Sequence, residues 1–129
     1  AEIAKKIHVN ITSYNGVVLL TGETLSRSLR TRVINIARNI EKVRRVHNEI
    51  RVADLTSFSS RTNDSWITSK VKTQMLATKG FKSSQVKVTT EAGTVYIMGL
   101  VTKKAGNQAA EIARNVSGVK RVVKLFEYI

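Results

Sequence analysis

The chain has 129 residues, no cysteine and a net charge of +13, which excludes disulfides, thiolate-bound zinc and thiol catalysis and favours a polyanionic partner. Apolar content of 42% and charged content of 24% are those of a folded domain, and no apolar run approaches the roughly 18–20 residues that cross a bilayer. The positive charge is shared between the halves, net +5 over residues 1–58 and net +8 over residues 59–129.

Taken in order, the chain opens on Ala1 without a signal-peptide pattern, as expected of a mature or truncated segment. From His8 it reads as strand, turn, strand, with Asn15-Gly16 as a hairpin turn signal between Val9-Asn10-Ile11-Thr12 and Val17-Val18-Leu19-Leu20. A helix around 27–40 places Leu29, Val33, Ile36, Ala37 and Ile40 on one inner stripe, and a further strand follows Val43 to Val46. Residues 54–63, rich in Ser and Thr, read as a linker. Asn63-Asp64-Ser65 offers capping side chains for a helix over about 64–78, with Ile67, Val71 and Met75 inward and Gly80 at its end. Val86–Thr90 alternates as a strand, Glu91-Ala92-Gly93 turns, and Thr94–Met98 is apolar throughout, as a central strand is. Thr102 caps a last helix with Ala105, Ala109, Ile112, Ala113 and Val116 inward, and a strand closes the chain over about 119–128.

The two halves match. Residues 36–46, Ile-Ala-Arg-Asn-Ile-Glu-Lys-Val-Arg-Arg-Val, return at 112–122 as Ile-Ala-Arg-Asn-Val-Ser-Gly-Val-Lys-Arg-Val, and the hairpins correspond likewise. The expected fold is α+β: two tandem αββαβ modules, each a mixed three-stranded sheet with its helices on one face. The domains are then 1–53 and 64–129. Only Ala1–Ile7 precede the first hairpin, so the first helix of module one is truncated, which leaves apolar side chains such as Val9 or Ile11 in need of cover.

No catalytic constellation appears. His8 and His47 lack counterparts in the second half, and there is no HExxH, paired-carboxylate or G-x-S-x-G pattern, so catalytic residues, metal ligands and cofactors are all read as none. Gly22 and Gly99 do not form a phosphate loop and read as places where a helix packs close to a strand. The lone Trp66 sits in the first turn of its expected helix, beside the inner stripe. Lys70 and Thr73 follow on its face, with Lys72 and Leu76 flanking. A Trp rimmed by Lys suits a headgroup–acyl boundary, with free helix N-terminal N–H groups nearby for a phosphate. The same Trp would equally cover a domain edge. Arg27, Arg30 and Arg38, with Arg44 and Arg45, read as a solvated basic face. Charge alone argues for nucleic acid, since no aromatic array or GXXG loop accompanies it.

The repeated order, with Gly22 and Gly99 in the central strands and Val-x-x-Val before each last strand, resembles the BON domain family of bacterial periplasmic and membrane-associated modules. The stretches Asn63–Val71, Lys82–Glu91 and Met98–Thr102 are most similar to the second domain of the family's dual-domain outer-membrane lipoproteins. That resemblance implies a non-enzymatic module that binds anionic phospholipid, notably phosphatidylglycerol. It further implies a lipid-anchored protein on the periplasmic face of a Gram-negative outer membrane, its anchor outside this segment. Such proteins support envelope integrity and localise to division sites. By matching positions, the lipid-binding residues it implies are Trp66, Lys70, Val71, Lys72 and Leu76, with Thr73 and Ser69. A protein-interaction module docking on an acidic envelope partner is the alternative, and nucleic-acid binding stands third. The oligomeric state is open.

Overall fold

The computed structural model describes residues 7–52 and 58–129. The chain divides into two compact units, residues 1–57 and 58–129. Among the described residues the fold is mixed α+β, with two three-stranded sheets and three α-helices.

In the first unit, β1 (Ile7–Tyr14) and β2 (Val17–Thr24) form an antiparallel hairpin around Asn15 and Gly16. Both turn residues have positive φ, +51° and +78°, as the tight turn matching strand twist requires. Helix α1 (Arg27–Arg38) then crosses to β3 (Arg45–Val52), which lies parallel to β2. Ser26 caps α1, its hydroxyl accepting from the Leu29 N–H at 3.2 Å. The core joins Val18, Leu20, Ala37 and Ile50, with Val9, Val33, Ile34, Val43 and Val46 packed against them.

The second unit has the same order with a helix in front. Helix α2 (Phe58–Ala77) precedes β4 (Val86–Glu91), β5 (Thr94–Val101), α3 (Lys103–Arg114) and β6 (Arg121–Tyr128). Strands β4 and β5 are antiparallel, while β5 and β6 are parallel. Thr102 caps α3 as expected, accepting from the Ala105 N–H at 3.1 Å. Ile67, Val71 and Met75 of α2 join Ala109 and Ala113 of α3, Val116 just beyond it, and Val88, Val95 and Ile97 in one core, so both helices cover the same sheet face.

Four expectations change. Helix α2 begins at Phe58, earlier than expected, because Phe58-Ser59-Ser60-Arg61-Thr62 contains weak helix formers but no breaker. Ile36 is 64% exposed rather than inward. The inner face of α1 runs through Val33, Ile34 and Ala37, so it is rotated toward Ile34, whereas Ala109, Ile112, Ala113 and Val116 of the second unit lie at the core as expected. Gly22 and Gly99 admit a neighbouring strand rather than a helix. A Cβ at Gly22 would stand 1.9 Å from the His8 carbonyl oxygen, and one at Gly99 2.4 Å from that of Gln85. Finally, Val9 packs into the core but Ile11 is 68% exposed.

Ile11, Ile36 and Ile40 share a cause. Their counterparts Val88, Ile112 and Val116 pack in the core to which α2 contributes Ile67, Val71 and Met75, and no helix equivalent to α2 stands beside α1 among the described residues. The truncated first helix expected for module one falls on residues 1–6, outside the described residues, as do 54–57 of the expected linker.

Candidate functional site

Helix α2 is apolar on two sides. Ile67, Val71 and Met75 recur every fourth residue and are buried against the sheet. Two further ties hold the helix: the Thr68 and Thr90 hydroxyls lie 2.7 Å apart in a hydrogen bond, and the Asp64 carboxylate reaches the β4–β5 turn. The helix is therefore fixed in rotation, and its remaining apolar residues cannot turn inward. Trp66 is 64% exposed and Leu76 75% exposed. Ser69 and Thr73 lie on the same outward stripe, with Lys70 on its edge.

Part of this stripe borders a groove of about 650 Å³. Trp66, Ser69, Lys70, Thr73, Gln74 and Thr78 form one wall; Ile112, Asn115, Val116 and Ser117 form the other. Lys70 spans it, its ammonium donating to the Ser117 carbonyl at 2.8 Å. The Thr73 hydroxyl is turned to its own helix and donates to the Ser69 carbonyl. Among the described residues the lining contains one cation and no carboxylate, so its potential favours an anion.

The structure thus gathers Trp66, Ser69, Lys70 and Thr73 at the groove. Leu76 and Lys72 are exposed on α2 but outside it, Lys72 about 120° around the helix from Trp66. Val71 is corrected: at 0% exposure it supports α2 from beneath and offers no surface to a ligand. The position of Trp66 is corrected too. With the helix starting at Phe58, Trp66 lies beyond the first two turns, and the four unpaired N–H groups of the N-terminus fall at residues 58–61 rather than beside Lys70. Ile112, Asn115 and Ser117 were not singled out as site residues from the sequence, because they come from the end of α3, far from Trp66 in the chain. Ile112 appeared only as a core residue.

Strand pairing also sets His8 opposite Glu23, with Nδ1 3.7 Å from the buried carboxylate, and Arg51 reaches the same oxygen at 3.9 Å. The sequence held no sign of this, since the three residues belong to three different strands.

The sequence pattern of the BON domain matches residues 1–54 and 63–129. The outer membrane lipoprotein DolP of Haemophilus influenzae is 40% identical over all 129 residues, which span 67% of that protein. The 21 kDa hemolysin of Actinobacillus pleuropneumoniae is 36% identical over the same residues, 66% of its length. Osmotically-inducible protein Y of Escherichia coli K12 is 31% identical over 121 residues, 92% of this chain and 60% of that one. The chain therefore spans about two thirds of the lipoprotein and the hemolysin, and its sequence and strand order agree: it belongs to the BON domain family.

Proposed function

We propose that this chain binds anionic phospholipid, phosphatidylglycerol in particular, and does so without catalysis. The observation that carries the reading is the outward stripe of α2. Trp66 and Leu76 are held in solvent beside Lys70 and Lys72, while Ile67, Val71 and Met75 anchor the helix from below. An exposed Trp and Leu insert at a bilayer's interface, and each nearby Lys contributes about 1 kcal/mol against an anionic surface. The site residues are then Trp66, Lys70, Lys72, Leu76, Thr73 and Ser69.

In the same reading, residues 1–53 and 58–129 are two BON domains, the second beginning with α2, and the linker shortens to 54–57. The protein works on the periplasmic face of a Gram-negative outer membrane, tethered by a lipid anchor outside this segment, and supports envelope integrity at division sites. The name of the H. influenzae relative, an outer membrane lipoprotein, supports that location. Weak contact by α2 suits a tethered protein, since the tether already supplies a high local concentration. Sedimentation with vesicles of phosphatidylglycerol or phosphatidylcholine tests the reading. Retention on the anionic vesicles alone is expected, and indifference to headgroup would remove it.

One observation favours a second reading. Ile11, Ile36 and Ile40 are exposed at the positions whose counterparts Val88, Ile112 and Val116 pack with α2 in the other unit, and every charged residue of α1 is an arginine. An acidic envelope protein that presents an amphipathic helix would fit it. Photo-crosslinking from position 36 in intact cells tests this, with adducts to an acidic envelope protein expected.

A further inference from the structure

The groove beside Trp66 is more than a flat membrane contact requires. Its volume of about 650 Å³ lies within the range of roughly 300–1,000 Å³ typical of sites that enclose a small molecule. Trp66 on one wall and Ile112 and Val116 on the other make it apolar, and Lys70 stands across it as the only charged lining residue among the described residues. Yet the Lys70 ammonium is occupied: it donates to the Ser117 carbonyl at 2.8 Å and so ties α2 to the segment between α3 and β6.

A carbonyl is a neutral acceptor. A phosphodiester oxygen carries charge, so exchanging the carbonyl for it adds ion-pair attraction to a hydrogen bond whose donor is already charged. An arriving phosphate therefore displaces the carbonyl, which loses little because Ser117 is exposed and water takes the place of Lys70. The exchange sets the lipid phosphate at the mouth of the groove, so the first methylenes of its acyl chain lie along Ile112, with the Trp66 ring opposite.

We propose that the groove binds a single molecule of an anionic phosphodiester lipid, with Lys70 exchanging the Ser117 carbonyl for the lipid phosphate. This rests on the anionic-lipid reading above and narrows it from a surface contact to a site of fixed stoichiometry.

The test is an NMR titration of the full chain with dihexanoylphosphatidylglycerol below its micelle concentration, beside dihexanoylphosphatidylcholine and glycerol 3-phosphate, with vesicle sedimentation in parallel. Saturable one-to-one binding is expected, with the largest shifts at the Trp66 indole and the Ser117 amide. The choline lipid should bind at least about fivefold more weakly, the value of one lysine contact. Glycerol 3-phosphate, which has no chains, should bind more weakly than the anionic lipid; equal binding would make this a free-phosphate site and overturn the lipid assignment. Lys70→Gln should erase the difference between the two lipids. Ser69→Trp, which fills the groove without changing charge, should abolish monomer binding. Retention on anionic vesicles without saturable monomer binding would overturn the single-molecule site and leave the surface reading standing. Failure on vesicles and monomers alike would end both.

Discussion

Asp64 and Gly93 lie 29 residues apart, and the carboxylate of the first accepts the backbone N–H of the second at 2.9 Å. Its other oxygen accepts the Ala92 N–H at 2.8 Å. The β4–β5 turn has positive φ at both residues, +50° at Ala92 and +81° at Gly93, which turns two adjacent amides toward one acceptor. Asp64 thus sets where α2 rests on its sheet, and with it where Trp66 emerges. Asp64→Ala should cost about 2–4 kcal/mol, since it takes the acceptor from one buried and one part-buried donor. Asp64→Asn keeps one oxygen as acceptor and should cost less. Urea unfolding checks both, and equal losses would mean that charge rather than acceptor geometry matters.

The glycines of the central strands should be intolerant for a different reason. At Gly22 a side chain meets the His8 carbonyl at 1.9 Å and also a φ of +114°. At Gly99 only the clash applies, 2.4 Å from the Gln85 carbonyl. Gly80 has φ +83° and nothing within 4 Å of a Cβ. Alanine should therefore be worst at Gly22, next at Gly99 and mildest at Gly80, where about 1 kcal/mol of left-handed strain is the whole cost. Thermal midpoints of the three variants give the order directly.

Repeat, hairpins and crossovers were legible because they rest on local signals: Asn-Gly at a turn, Thr before a helix, alternation along a strand. The inner face of α1 was not. Two overlapping stripes fit its sequence, and the isoleucines Ile36 and Ile40 outweighed Ile34 in any apolar pattern. The fully buried residues of α3 are Gly106, Ala109, Ala110 and Ala113, with Ile112 packed against the same core; small side chains let a helix approach a sheet closely but contribute little to a periodicity. The groove was half legible, since α2 carries one wall in a single helical pattern and α3 brings the other by tertiary packing. Ile36→Ala, at 64% exposure, should change stability by no more than about 0.5 kcal/mol. Ile67→Ala removes a buried core side chain and should cost about 2–5 kcal/mol. Chemical denaturation of the pair tests which face is inward.

His47, on β3, should make stability depend on pH. Burial first, and the neighbouring Arg45 second, hold its imidazole below the ordinary 6.5, with Glu49 opposing them. A histidine with a lowered folded pKa binds fewer protons folded than unfolded near that pH. Its contribution is therefore intact above about 6.5 and declines as the pH falls from there through the folded value. His47→Gln should flatten this part of the curve and leave the slope above pH 7 unchanged. A wild-type curve of the same slope as the variant's between pH 7 and 5 would count against it.

The membrane reading turns on the two sides of α2, which separate binding from folding. Trp66 and Leu76 have their side chains in solvent, whereas Val71, one helical turn from Ile67, is enclosed. Trp66→Glu and Leu76→Glu place a charge where the bilayer would be entered but open no cavity in the core, so each variant should stay folded, within about 0.5 kcal/mol of wild type. Each should lose retention on phosphatidylglycerol vesicles. Val71→Glu buries a carboxylate without a partner and should unfold the second unit outright. Lys72→Glu reverses a charge beside the stripe, so it should weaken retention at least about fivefold and blunt its dependence on salt. Circular dichroism melts and vesicle sedimentation, read on the same four proteins, distinguish the cases. A folded Trp66→Glu variant that still sediments with anionic vesicles would show that α2 is held at the surface for something other than lipid.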